Sequence, residues 1–294
     1  MELFTQQVVD GIAWGSLYGA LALSLVLVYR ASGIVNFAQG EMAMFAAFVT
    51  WQLHEWGIGL LPAILLSMVL AFIGGAAIER VLIRPLAPAA SQLTLVIITL
   101  GLMLLLNNGA GWIWDFNAKQ FPAVSEAGAV TIGTAAISRQ ALAIVLAVIV
   151  VSGLLFVLFR HTRLGLSMRA AASNPESARL VSIPVGRVMA ISWGLAAAIG
   201  ALVASLAAPQ LVLQPNMLAA TLIYAFAAAV LGGLDSPVGA LVGGLIVGIS
   251  ENLAGTYIPG IGNDFKQAIA LVIIMAVLLF RAEGLFGAKR VVRV

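Results

Sequence analysis

The 294-residue chain is 62% hydrophobic and 9% charged, with fifteen lysines and arginines against twelve acidic residues. Soluble domains carry about 25% charged residues, so this composition cannot clothe a water-facing surface; it excludes a soluble enzyme or a nucleic-acid-binding module. A net charge of +3 is too small to make a basic patch and acts instead as a topology signal. With a mean hydropathy of +1.08, the chain reads as an all-helical, polytopic protein of a bacterial-type inner membrane.

A helix needs about 20 apolar residues to cross the hydrocarbon core. Runs of that kind lie near residues 8–29, 34–53, 58–78, 93–114, 139–159, 188–208, 218–234, 237–254 and 266–281. The seventh and eighth are short, separated only by Leu234, Asp235, Ser236 and Pro237, and read equally as broken or re-entrant segments. Nine spans is the working expectation within a range of eight to ten. Met1 to Asp10 has no basic residue, unlike a cleaved signal peptide, so the first segment is expected to be retained. Basic residues collect on the cytoplasmic side. With the C-terminus inside, Arg30, Arg80, Arg84, Arg160, Arg163, Arg169, Arg179, Arg187, Arg281, Lys289, Arg290 and Arg293 fall there, twelve of the fifteen. Lys119, Arg139 and Lys266 fall outside. Nine spans then place the N-terminus outside, and residues 1–294 read as one transmembrane domain.

Two hydrophilic stretches stand out, an outer one at about 115–138 and a basic inner one at 160–187. In the outer loop Asp115, Lys119 and Glu126 are candidate salt-bridge partners, Val130-Thr131-Ile132 forms an alternating patch, and Trp112 and Trp114 read as interface anchors.

Recognisable catalytic chemistry is missing. None of the three lysines follows a glycine, so there is no phosphate-binding Gly-Lys loop, and Gly260 and Gly262 lack the rest of a dinucleotide motif. Cysteine is absent, and His54 and His161 are too far apart in sequence for a local metal motif. No metal or cofactor is implied. A membrane enzyme would need a constellation that is not there. Almost every charge sits within a turn or so of a span end; the main exception is Glu41, about 10 Å into the second segment. One such carboxylate is thin support for a self-sufficient secondary carrier, the other alternative.

Gly11, Gly15 and Gly19 share a stripe with Ser16 and Ala20, suited to tight internal packing or to a subunit interface. Gly232, Gly233, Gly239, Gly243, Gly244 and Gly248 form a second small-residue region, read either as close packing or as broken helices around a cavity. Asn36, Gln39 and Glu41 open the second segment. Asn36 is positioned to cap a helix and Glu41 to benefit from its dipole; the competing reading puts these three, with Gly232 and Gly233, beside a permeation path.

The run Val35-Asn36-Phe37-Ala38-Gln39-Gly40-Glu41 resembles the signature of permease subunits of branched-chain amino acid ABC importers, the LivH type, with Gln39 where a histidine is usual. The inner loop is similar as well, through Thr162, Gly165 and Arg169-Ala170-Ala171-Ala172-Ser173-Asn174-Pro175-Glu176-Ser177-Ala178-Arg179. So is Ala229-Val230-Leu231-Gly232-Gly233-Leu234-Asp235-Ser236-Pro237-Val238-Gly239-Ala240 with Gly243 and Gly244.

The resemblance implies an ABC importer permease fold. It also implies a pore shared with a second permease (a paralogous chain, with a homodimer as the other option), two cytoplasmic ATPases, and a periplasmic binding protein facing the outer loop. The solute would be a branched-chain amino acid, urea, a short amide or another carboxylate. The inner loop becomes a coupling helix. Arg169, Ala170, Asn174, Glu176, Ala178 and Arg179 are its expected contacts, and Ala170, Ala171, Ala172 and Ala178 are small enough to seat it in a groove on the ATPase. Ser182 stands where the family often has glycine. The competing reading of this loop is a basic face against anionic lipid headgroups.

Overall fold

The computed structural model describes residues 2–86, 91–125, 128–132, 135–258, 265–281 and 283–287. Long apolar runs become helices because a membrane-buried backbone must satisfy its own hydrogen bonds. They are α1 (Glu2–Ser32), α2 (Gln39–Glu55), α3 (Leu60–Ile78), α4 (Arg84–Leu86), α5 (Gln92–Trp114), α6 (Arg139–His161), α7 (Arg163–Ser173), α8 (Pro175–Leu180), α9 (Val185–Leu211), α10 (Ala219–Gly232), α11 (Pro237–Tyr257) and α12 (Lys266–Phe280). A π-helical turn, Glu79–Ile83, joins α3 to α4 without a break. The strands β1 (Ala129–Ile132) and β2 (Ala135–Ser138) pair antiparallel, Ala129 opposite Ser138.

Among the described residues six helical stretches have the length and hydropathy to cross a membrane: α1, Leu60–Leu86, Leu93–Trp114, α6, α9 and α11. The other three expected segments fall on shorter helices, α2 with 17 residues, α10 with 14 and α12 with 15. At 1.5 Å per residue α10 reaches only about 21 Å, short of a core of about 30 Å. By length and hydropathy alone, six candidate crossings are thus marked among the described residues. The eighth segment is longer than expected, since α11 runs to Tyr257.

The chain divides into two compact units. The first comprises residues 1–26, 125–146 and 219–294. In it the glycine stripe of α1 packs against that of α11: a Cβ on Gly15 would lie 2.8 Å from the Gly244 carbonyl oxygen, and one on Gly11 2.7 Å from Ile249 Cα. Tight internal packing is thus the use made of both small-residue regions. Gln6 clasps β2, its side chain donating to and accepting from the Ala136 backbone at 2.9 Å each way. After α10 the chain breaks at Gly233, whose φ of 101° suits glycine. The backbone N–H groups of Leu285 and Phe286 satisfy the exposed carbonyls of Leu231 and Gly232. Gly232 and Gly233 are therefore packed against backbone from Gly239 and the 283–287 segment.

The second unit comprises residues 27–124 and 147–218. Here α2, α3 and α9 pack side by side: a Cβ on Gly75 would lie 2.7 Å from the Trp193 carbonyl oxygen, and Gly194 abuts Phe72. Thr50 on α2 bonds Ser205 on α9 at 2.9 Å. The outer faces of α3, α5 and α6 carry exposed Leu, Ile and Val, as lipid-facing helices do.

Candidate functional site

Four polar clusters and one exposed face stand out from this apolar scaffold. The turn before α2 holds the first cluster. Asn36 does not cap that helix; Ala38 is the cap residue and offers no side-chain bond. Instead the Asn36 carboxamide oxygen accepts from the Ala38 N–H at 3.0 Å, and its nitrogen donates to Gln39 Oε1 at 3.3 Å. Gln39 in turn donates to the Ala196 carbonyl at 3.0 Å. Both side chains are fully buried and are spent on holding the turn against α9.

Glu41 points elsewhere. Its carboxylate accepts from Asn107 of α5 at 3.2 Å, and the same Asn107 amide donates to Asn216 at 2.6 Å. Asn216 has a φ of 69°, and nearby Val212 one of 63°. A β-branched residue there is a genuine outlier. The segment is held by backbone pairing of Lys119 N–H to the Leu213 carbonyl at 2.8 Å. A second intramembrane carboxylate, Glu251, accepts from Tyr18 at 2.8 Å, while Tyr18 stacks on Tyr224 with ring centroids 4.7 Å apart. The expected segment ends at residue 254, which hides Glu251 near a span end; α11 carries it two turns inside. A third, Glu79, is 1% exposed and paired with Arg84.

The outer loop spends its candidate salt-bridge residues internally. Asp115 accepts from its own loop, from the Phe116 N–H and the Asn117 amide, and Lys119 lies over the Trp51 ring at 5.1 Å. Glu126 lies outside the described residues. Trp112 is 87% exposed, as an interface anchor should be. Trp114 instead stacks on Phe48 and donates to Gln52.

The inner loop forms two short helices on a small core. Thr162 caps α7 by accepting from the Gly165 N–H, and Asn174 caps α8 by accepting from the Ser177 N–H at 3.0 Å. Met168, Ala171 and Ala178 turn inward with Val185 and Val188, against Leu158, Phe159 and Ile183. Ala178, at 3% exposure, is thus packed within the chain's own core. Ala170 is half-buried. Arg169, Asn174, Glu176 and Arg179 do lie on the exposed face.

Directly after Arg179 come Leu180, 86% exposed, and Val181, 70% exposed, and Leu166 is also exposed. Composition draws attention to the alanines and away from this apolar tip; a Leu-Val pair closing a capped six-residue helix is the signal that marks it. Ser182 follows with a φ of 63°, a left-handed conformation costing a non-glycine residue about 1–2 kcal/mol. Ser182→Gly is therefore expected to leave thermal stability unchanged or slightly higher. Ser182→Val should lower it by about 1–2 kcal/mol, read by thermal unfolding of the detergent-purified chain.

Residues 7–280 match the family described as branched-chain amino acid transport system / permease component. The chain is 31% identical to the high-affinity branched-chain amino acid transport system permease protein BraD of Pseudomonas aeruginosa, over 99% of this chain and 98% of that one. It is 30% identical to LivH of Escherichia coli K12 with the same coverage. The probable permease LivH of Methanocaldococcus jannaschii is 29% identical over 97% of this chain and 94% of its own. No solved structure matches the chain. The family is a transport permease and not an enzyme, which fits a scaffold of apolar helices with a few buried polar contacts and a capped, exposed inner loop. The chain belongs to this branched-chain amino acid transport permease family, as a multi-pass membrane component of a larger transport system.

Proposed function

We propose that the chain is the membrane-spanning subunit of an ATP-driven importer for branched-chain amino acids or related small polar solutes. The relatives' names supply the substrate class. The observation that carries the mechanism is the exposed Leu180–Val181 tip on the same two-helix loop as the exposed Arg169, Glu176 and Arg179. An apolar centre with a charged rim is the anatomy of a protein-docking surface, and a lipid-headgroup contact would not need so ordered a helix pair. The partners are two cytoplasmic ATPases under this loop, a second permease chain across the pore, and a soluble binding protein on the outer side. The α7–α8 loop and the C-terminus face the cytoplasm and the N-terminus faces outward, supported by the placement of twelve of fifteen basic residues. Residues 1–294 act as one permease domain, α1 and α6 each contributing to both compact units.

Of the five residues expected beside the path, Glu41 retains that role, joined by Asn107 and Asn216. Asn36 and Gln39 shape its approach, and Gly232 and Gly233 serve packing. Glu41→Ala removes the carboxylate that holds Asn107 and is expected to lower leucine uptake about tenfold, the equivalent of one charge-assisted bond of about 1.5 kcal/mol. Glu41→Gln keeps a hydrogen-bond acceptor and should lower it less. Equal uptake by wild type and Glu41→Ala in proteoliposomes would remove Glu41 from the path.

The whole reading is tested by purifying the chain in mild detergent from cells expressing its native partners and identifying every stoichiometric companion. Recovery of ATPase subunits and a second permease is the expected result. A chain that arrives alone and still transports leucine in liposomes would overturn it.

A further inference from the structure

The junction between α3 and α9 carries a charged contact that the reading above does not use. Glu79 opens the π turn, and Arg84 lies five residues on. In an unbroken α-helix five residues advance the side chain to roughly 140° from its start. A π turn, closed by i→i+5 bonds, brings residue i+5 back over residue i. The consequence is a two-point pair: Arg84 Nε donates to Glu79 Oε1 at 3.1 Å and its Nη2 to Oε2. The same Nη2 also donates to the carbonyl of Gly186, the second residue of α9. A Cβ on residue 186 would lie 3.1 Å from the guanidinium carbon, so alanine there would push the guanidinium by a few tenths of an ångström.

This contact sits where the inner loop ends. Val185 and Val188, in the first turn of α9, are buried in the core that also holds Met168, Ala171 and Ala178 of α7 and α8. One continuous path therefore runs from the exposed tip, through that core, into the first turn of α9, and across Arg84 and Glu79 to the end of α3. Beyond it α3 and α9 stay in close backbone contact at Gly75 and Gly194. A buried carboxylate costs several kcal/mol unless paired, and a π turn weakens the local helix ladder, so the arrangement is an expensive way to end a helix. It spends specificity on joining two elements at one point.

We propose that the Glu79–Arg84–Gly186 contact is a clamp that makes the inner loop and the α3–α9 pair move as one body. Arg84 is a positioning residue: it touches no solute and passes the displacement of α9 to α3. The inference rests on the importer reading, and its consequence is specific. Breaking the clamp leaves docking of the ATPases intact and uncouples hydrolysis from transport.

The test uses the assembled complex in proteoliposomes, with leucine uptake and ATP hydrolysis measured on the same sample. Glu79→Gln, Arg84→Lys and Gly186→Ala are each expected to keep the ATPases bound and hydrolysing while leucine taken up per ATP falls several-fold. Arg84→Lys keeps the charge and loses the fork, so it should fall between wild type and Glu79→Gln. An unchanged ratio in all three overturns the clamp, as does a fall in uptake that only follows the amount of assembled complex.

A second readout needs neither leucine nor assembly. The chain has no cysteine, so spin labels at Val81→Cys and Val181→Cys, both exposed, report the distance between the α3 end and the loop tip. The distribution should be narrow with the clamp intact and broader in Glu79→Gln. Identical distributions reject the proposal. A wild-type complex that recovers no ATPase rejects the importer reading instead, leaving the clamp to be judged on the label distances.

Discussion

Leu180→Asp combined with Val181→Asp is expected to abolish recovery of ATPase subunits with the purified chain, while the chain itself stays folded. Burying a large aliphatic side chain is worth about 1.5–3 kcal/mol. Two such residues at the centre of a docking surface therefore account for roughly 4 kcal/mol, close to three orders of magnitude in affinity. Aspartate also adds desolvation cost at the same place. Folding should be spared, since Leu180 and Val181 project away from the core formed by Met168, Ala171, Ala178, Val185 and Val188. Arg169→Glu with Arg179→Glu acts at the rim, where charges steer association and are screened by salt. That pair should weaken recovery less, and more so at low ionic strength. If the aspartate pair co-purifies its partners at wild-type yield, the exposed tip is not the docking surface.

Much of the architecture is legible in the sequence because lipid enforces a simple rule. Long apolar stretches must be helical, so the starts at Gln92, Arg139 and Pro237 fall within a residue or two of the expected ones. The inner loop is legible from its polar residues, and Asn174 followed by Pro175 marks a helix start by known capping preferences. What hydropathy cannot show is how one residue relieves another. Glu79, Arg80 and Arg84 read as the end of a span, yet the π turn lets Arg84 neutralise Glu79 and the helix runs on to Leu86. Glu251 is hidden for a related reason: the Tyr18 hydroxyl that receives it comes from a helix more than two hundred residues earlier in the chain.

The candidate site is legible in outline, and its packing is not. Ala171 and Ala178 of the inner loop are small because their own core is tight, while the nearby aliphatic Leu166, Leu180 and Val181 are exposed. Residue type alone does not separate those cases, whereas the helical phase of Ala171 and Ala178 relative to Met168 does, once both helices are placed. Asn36 and Gln39 are equally ambiguous. A polar residue at the start of a span can line a path or pin a turn; here Asn36 bonds the Ala38 N–H and Gln39 the Ala196 carbonyl, contacts that hydropathy does not show.

Gly244→Ala is expected to destabilise the chain strongly, and the glycines of the lipid-facing helices provide its control. A Cβ at position 244 would overlap the backbone of Gly19 and approach the Gly15 carbonyl oxygen. Backbone cannot rotate away as a side-chain tip can, so α1 and α11 must separate along the whole stripe from Gly11 to Gly19. Overpacking a well-filled contact costs about 1–3 kcal/mol, and loss of the close helix approach that drives association in lipid adds to it. At Gly101 in α5 and Gly153 in α6 an added methyl group would meet nothing within 4 Å. There, alanine gains helix propensity of up to about 1 kcal/mol with no steric cost. The same chemical change should therefore lower the thermal midpoint of the detergent-purified chain at Gly244 and at Gly15, and raise it at Gly101 and Gly153. Leucine uptake should fail in the first pair because the seam holds the helix that carries Glu251 against Tyr18. A midpoint for Gly244→Ala equal to that of Gly153→Ala would mean that the two stripes do not form the seam.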